Sequence, residues 1–144
     1  MTAPFIMLVD DEIPFVETMA KRLDKRNIET LSTFSGEECL ETLKTHQTLD
    51  VIVLDVKMPG MDGIETLRGI KNDFPLVEVI MLTGHATVET GIEGMKLGAF
   101  DFLMKPCDIE ELASKVEEAT EKKRAHESKI KDAEHKELLL KYEP

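Results

Sequence analysis

The stretch Asp50-Val-Ile-Val-Leu-Asp55-Val-Lys-Met-Pro-Gly-Met-Asp62-Gly63 decides how the rest of the chain is read. A continuous β-branched and aliphatic run, Val51 to Leu54, stops at a carboxylate, Asp55. A short apolar run bounded by turn residues fits a strand buried on both faces, as in a parallel sheet. Pro59 and Gly60 force a turn, and Asp62-Gly63 leads into a helical pattern. Asp62 is placed to cap that helix, which leaves Asp55 free at the carboxyl end of a central strand. In open α/β sheets, ligands and chemistry collect at that end.

Working outward, the same grammar recurs. Phe5 to Val9 ends in Asp10-Asp11-Glu12, Val77 to Leu82 ends in Thr83-Gly84, and Phe100 to Met104 ends in Lys105-Pro106. If the strands are parallel, an acid pair, an acid, a hydroxyl and an amine gather at one rim. Ile28 to Phe34 is a weaker, partly alternating strand suited to a sheet edge. Helical spacing marks Glu12 to Asn27, with Pro14 in its first turn. A second helix opens at Ser35 with early acids Glu37 and Glu38. Ile64, Leu67 and Ile70 mark a third. Thr87 to Leu97 is a fourth, carrying Val88, Ile92 and Met95 on one face, with Gly91 and Gly94 inside it. Those glycines read either as a weak, movable helix or as points of close packing. A fifth helix starts at Asp108, with Ile109, Leu112, Ala113 and Val116 docking on the sheet.

Strand then helix, five times over, predicts a doubly wound five-stranded parallel sheet with helices on both faces and right-handed crossovers, the last helix extended. The expected division is a domain over 1–120 and a charged helical extension over 121–144. A heptad-spaced seam through Val116, Ala119, Lys123, His126, Ile130, Ala133, Glu137 and Leu140 has polar residues at three positions, so a solvated helix with i,i+4 ion pairs is expected over an obligate coiled coil. Leu138-Leu139-Leu140 suggests a partner surface or a lattice contact.

Composition bounds the function classes. The 144 residues carry a net charge of −11, with 42% hydrophobic and 33% charged residues. One globular domain is expected, with no direct binding of nucleic acid, because an acidic chain repels a phosphate backbone. No apolar run is long enough to span a bilayer, and residues 1–12 lack a basic n-region, so no membrane association and a cytoplasmic location are expected. Cys39 and Cys107 are isolated and read as reduced thiols.

The rim has a chemistry of its own. Asp10, Asp11 and Asp55 repel one another by about 4 kcal/mol per pair at 4 Å and an effective dielectric near 20. Such a cluster protonates or binds a hard cation. Carboxylates suit Mg²⁺, which keeps waters and favours phosphate oxygens. A phosphoryl group could then be held between the cation, Lys105 and Thr83, with Asp55 attacking phosphorus.

Taken together, Asp10-Asp11, Asp55-Val-Lys-Met-Pro-Gly-Met-Asp-Gly, Thr83-Gly84 and Phe102-Leu-Met-Lys105-Pro106 resemble the response-regulator receiver domain of two-component signalling, over about residues 4 to 120. The stretch 82–90 is similar to receivers of the nitrogen-regulatory activator type. The resemblance implies a flavodoxin-like sheet of order 2-1-3-4-5 and Asp55 as phosphoacceptor. It implies Mg²⁺ held by Asp11, Asp55 and the Lys57 backbone carbonyl, with Asp10 acting through water. Thr83, Gly84 and Lys105 would contact the phosphoryl group, Thr83 and Phe102 would form the switch, and Lys57 and His85 would modulate its rate. The peptide before Pro106 would be cis. The implied partner is a sensor histidine kinase or phosphotransfer protein, and the chain is expected to be a phosphoacceptor rather than an enzyme. Homodimerisation through the face of the fourth helix, fifth strand and fifth helix, or through the C-terminal helix, stays open. So does the output: a stand-alone receiver or the amino-terminal piece of a longer transcriptional regulator. Two other readings compete. A haloacid-dehalogenase-type hydrolase wants a second Asp where Lys57 stands, and a phosphorylation-independent adaptor would not need the complete acid set.

Overall fold

The computed structural model describes residues 2–84 and 87–142. Five strands alternate with five helices: β1 (Phe5–Val9), α1 (Ile13–Asp24), β2 (Glu29–Thr33), α2 (Gly36–Leu43), β3 (Val51–Leu54), α3 (Gly63–Asp73), β4 (Glu78–Thr83), α4 (Val88–Lys96), β5 (Asp101–Met104) and α5 (Ile109–Tyr142). All pairings are parallel, and the sheet order is β2-β1-β3-β4-β5. This is the doubly wound arrangement expected from the run of apolar segments.

The side-chain period of two sorts the strands onto two cores. Ile6, Leu8, Val51, Val53, Ile80, Leu82 and Leu103 face α1 and α5, meeting Val16, Met19, Leu23, Leu112 and Val116. Met7, Val9, Ile52, Leu54, Val79 and Met81 face the other layer, meeting Cys39, Leu43, Leu67 and Ile70 of α2 and α3. All four β3 residues are buried, and at roughly 1.5–3 kcal/mol per fully buried aliphatic side chain the central strand is a main anchor of the fold.

Local signals set the helix starts. Pro14 stands in the first turn of α1. The Ser35 side chain accepts from the Glu38 N–H, Asp62 from the Glu65 N–H, and Thr87 and Thr90 close a reciprocal capping box. Gly63 begins α3 where a Cβ would sit 2.2 Å from the Asp55 carbonyl oxygen, so only glycine lets the helix approach the end of β3. At Gly94 a Cβ would lie 2.5 Å from the Met81 sulfur, so this glycine serves close packing; at Gly91 the nearest atom is a Phe102 ring carbon at an ordinary 3.9 Å. Leu112, Ala113 and Val116 dock α5 on the sheet, with Ile109 packed at the edge of that core.

Past Ala119, α5 does not simply turn to solvent. Lys123 is buried, its ammonium 3.4 Å from Asp50 and 3.0 Å from Glu127. Arg124 donates to Asp50 at 3.2 and 3.0 Å and to the Thr2 and Ala3 carbonyls at 2.8 and 3.1 Å. Contact with the sheet domain thus runs four residues beyond the boundary expected at 120. Beyond Glu127 the helix is exposed to Tyr142, including Leu138, Leu139 and Leu140.

Candidate functional site

The sheet register assembles the rim. Val9 pairs with Leu54, so Asp10 and Asp55 follow adjacent strand ends, and the Asp55 N–H donates to the Val9 carbonyl at 2.9 Å. On the other side Thr83 pairs with Met104, and the Lys105 N–H donates to the Thr83 carbonyl at 2.9 Å. Parallel strands pointing the same way therefore bring residues from four separate segments to one edge.

Asp10, Asp11 and Asp55 each offer a carboxylate oxygen, all within 4.8 Å of one another. Asp10 and Asp55 are buried and Asp11 is exposed. The ammonium of Lys105 sits 2.7 Å from Asp10 Oδ2, 3.0 Å from Glu12 Oε1 and 3.9 Å from Asp55 Oδ2. It also lies 4.1 Å from the centre of the Phe15 ring, a cation–π contact that steers the side chain toward α1. The Lys105–Pro106 peptide is cis.

The electrostatics follow from burial against pairing. Burial raises the Asp10 pKa above the ordinary carboxylate value, and the bonds from Lys105 and from the Glu12 N–H only partly offset it. For Lys105 burial works the other way, yet the bonds to Asp10 and Glu12 and the charges of Asp10 and Asp55 together raise its pKa. One lysine against three aspartates leaves the rim short of positive charge. Among the described residues, Asp55 Oδ1 is buried with no hydrogen-bond partner, an arrangement that costs roughly 1–3 kcal/mol or more unless a cation or donor meets it. A pocket of about 480 Å³ opens over the acids, lined by Asp11, Glu12, Asp55, Lys57, Met58 and Pro59. Hard oxygens, a charge deficit and an orphaned oxygen on a carboxylate residue that lines open space fit a divalent cation.

Thr83 is fully buried beside Lys105 at the end of β4. Gly84 follows it, with the Lys105 side chain 3.9 Å from where a Cβ would stand. Lys57 is exposed and lines the acidic pocket. His85 lies outside the described residues. Phe102 is set apart from the acids: its ring abuts Gly91 and lines an apolar groove of about 770 Å³ with Val88, Ile92, Met95 and Met104. The stripe read on the fourth helix is thus present but largely uncovered, with Val88 79% exposed. Glu12 at the ammonium went unassigned in the sequence. Its only signal was its place after Asp10-Asp11.

The model of the response regulator receiver domain matches residues 6–117. The chain belongs to this family. It is 36% identical over 112 residues to the DNA-binding transcriptional regulator NtrC of Klebsiella pneumoniae, covering 78% of this chain and 24% of that protein. It is also 36% identical over 114 residues to the transcriptional regulatory protein ZraR of Escherichia coli K12, covering 79% and 26%. The receiver therefore spans about a quarter of the curated relatives it matches. Among solved structures, a receiver domain protein from Clostridium thermocellum superposes with a TM-score of 0.81 at 32% identity, covering 85% of this chain and 98% of the other. The receiver domain of NtrX from Brucella abortus gives 0.75 at 30%, covering 81% and 98%. These likenesses agree with a nitrogen-regulatory activator subtype of receiver. No described helix is long and apolar enough to cross a membrane.

Proposed function

We propose that Asp55 of this receiver accepts a phosphoryl group from a sensor histidine kinase or phosphotransfer protein, and that the modified domain controls an output partner. The observation that carries the reading is the Asp55 carboxylate: one oxygen lies within 4.8 Å of oxygens of two further aspartates, Oδ1 is buried and unpartnered among the described residues, and Oδ2 is 3.9 Å from the Lys105 ammonium. An Asp55 oxygen attacks phosphorus; the new O–P bond forms as the P–N bond to the donor imidazole breaks, and that electron pair stays on the imidazole. Asp11, Asp55 and the Lys57 carbonyl would hold Mg²⁺ directly, with Asp10 acting through water. Bound there, Mg²⁺ would neutralise the carboxylates and the phosphoryl oxygens. Lys105 supplies the second positive charge. Thr83 and Gly84 offer the hydroxyl and the backbone N–H that recognise the product.

Adding about −1.5 to −2 charges at the rim rewards a move of Thr83 toward the phosphoryl oxygens. Space vacated at the end of β4 lets Phe102 turn inward, away from the groove against α4. That coupling would carry the signal to the face of α4, β5 and α5, which, with the C-terminal helix, is the candidate surface for homodimerisation. Lys57, exposed on the acidic pocket, and His85 would set how long the phosphoryl group survives. The receiver expected over 1–120 takes in the Lys123 and Arg124 contacts with Asp50 as well, the rest of 121–144 is its charged extension, and the setting is cytoplasmic, without direct contact to nucleic acid or membrane.

The test is incubation with Mg²⁺ and acetyl phosphate, read by intact mass. Wild type gains one phosphoryl group and Asp55→Asn gains none. Equal labelling of the variant overturns the assignment.

A further inference from the structure

Lys105 faces a competition within its own site, and the competitor is Glu12. An ammonium has three N–H donors. Two are committed, to Asp10 Oδ2 at 2.7 Å and to Glu12 Oε1 at 3.0 Å, while Asp55 Oδ2 lies beyond hydrogen-bond reach at 3.9 Å. The third N–H is left for a phosphoryl oxygen, and closing the 3.9 Å gap toward Asp55 draws the ammonium away from the α1 side, where Asp10 and Glu12 hold it. The two partners differ in cost. Asp10 is buried, with a side chain 6% exposed, and losing its bond would strand a charge out of reach of water. Glu12 is 61% exposed, so water can replace the ammonium. The Glu12 side chain is also free of capping duty at its position. It is the N-cap residue of α1 but makes no side-chain cap, and the helix uses only its backbone carbonyl, which accepts from the Val16 N–H.

We propose that Glu12 is a positioning residue that parks Lys105 on the α1 side of the site and must release it before or during phosphoryl transfer. This inference rests on the reading of Asp55 as phosphoacceptor. It gives the parking contact a definite kinetic signature. Glu12 holds Lys105 in the unmodified protein, so its release is part of the barrier to modification. In the aspartyl phosphate Lys105 has already moved, and Glu12 is released both before and during hydrolysis. Losing the contact therefore speeds gain of the phosphoryl group and leaves its loss alone. The size is that of an exposed ion pair, about two- to fivefold in rate.

The experiment measures both rates for wild type, Glu12→Gln, Lys105→Ala and the double variant, by intact mass at saturating Mg²⁺ with acetyl phosphate, then after removal of the donor. Glu12→Gln is expected to be modified about two- to fivefold faster, through the maximal rate rather than the donor concentration for half-maximal rate, with unchanged hydrolysis. In the Lys105→Ala background the same substitution is expected to do nothing to the maximal rate. Unchanged modification by Glu12→Gln overturns the inference. So does a parallel change in modification and hydrolysis, or a gain through donor affinity alone, since either marks a general effect of charge on an anionic donor. Failure of wild type to take up a phosphoryl group, or labelling of Asp55→Asn, is a different result: it removes the phosphoacceptor reading and this inference with it.

Discussion

Replacing Asp50 by alanine would strike the pole of the sheet opposite the acids. The Asp50 side chain is 3% exposed and accepts from the Phe5 N–H at 3.0 Å, Lys123 at 3.4 Å and Arg124 at 3.2 and 3.0 Å. Its loss orphans the Phe5 N–H, worth about 1–3 kcal/mol. It also leaves Lys123, 5% exposed, with Glu127 as its remaining acid. Breaking a buried pair costs about 3–5 kcal/mol. The low end applies here, because Glu127 stays and Arg124, 26% exposed, can turn to water. The expected total is about 4–6 kcal/mol, a fall in Tm of roughly 8–24 °C for a chain of this size. Lys123→Met keeps the volume and leaves Arg124 on Asp50, so it should cost about 1 kcal/mol. Thermal and urea melts followed by circular dichroism give both numbers. A smaller loss for Asp50→Ala than for Lys123→Met would refute the reasoning that the carboxylate is the hub of the cluster.

The same contacts predict that ending the chain after Glu127 leaves the Tm within about 2 °C of the full chain, whereas ending it after Ala119 lowers it by at least as much as Asp50→Ala, by the same melts. Gly63→Ala should cost about 3 kcal/mol in urea melts and slow modification of Asp55, since its Cβ would meet the Asp55 carbonyl oxygen at 2.2 Å. Burial pushes the Cys39 thiol up to about 12, so at pH 8 only about one molecule in ten thousand carries the thiolate; iodoacetamide should label Cys107 in the native protein and Cys39 only after unfolding, by mass mapping. Lys105→Ala should still bind Mg²⁺ by calorimetry while the amide spectrum around Phe102 no longer changes on modification; an undiminished change would contradict the role given to Lys105.

Much of this architecture was legible because it rests on local grammar. Val51–Leu54 and Phe5–Val9 are uninterrupted apolar runs, which only a sheet covered on both faces tolerates, and each ends in an acid whose position follows from strand direction alone. Asp62 and Ser35 announced helix starts through short-range capping. What escaped was long-range. Asp50 meets Lys123 across 73 residues, and no periodicity connects them; in the heptad seam Lys123 read as a polar flaw, when it is a buried partner of an acid at the base of β3. Periodicity also placed Val88, Ile92 and Met95 on one stripe without saying whether anything covers it, because a moment measures orientation and not burial. Glu12 was hidden for a simpler reason: its bond to Lys105 depends on a side chain 93 positions away.

Tryptic mapping of the chain after exposure to acetyl phosphate, with Mg²⁺ and with the ion chelated, bears most directly on the claim that three carboxylates and one ammonium make Asp55 the acceptor. The account predicts a single modified peptide, the one containing Asp55, labelled with Mg²⁺ and blank without it. A phosphoryl group on any other residue, or equal labelling when Mg²⁺ is withheld, would contradict it.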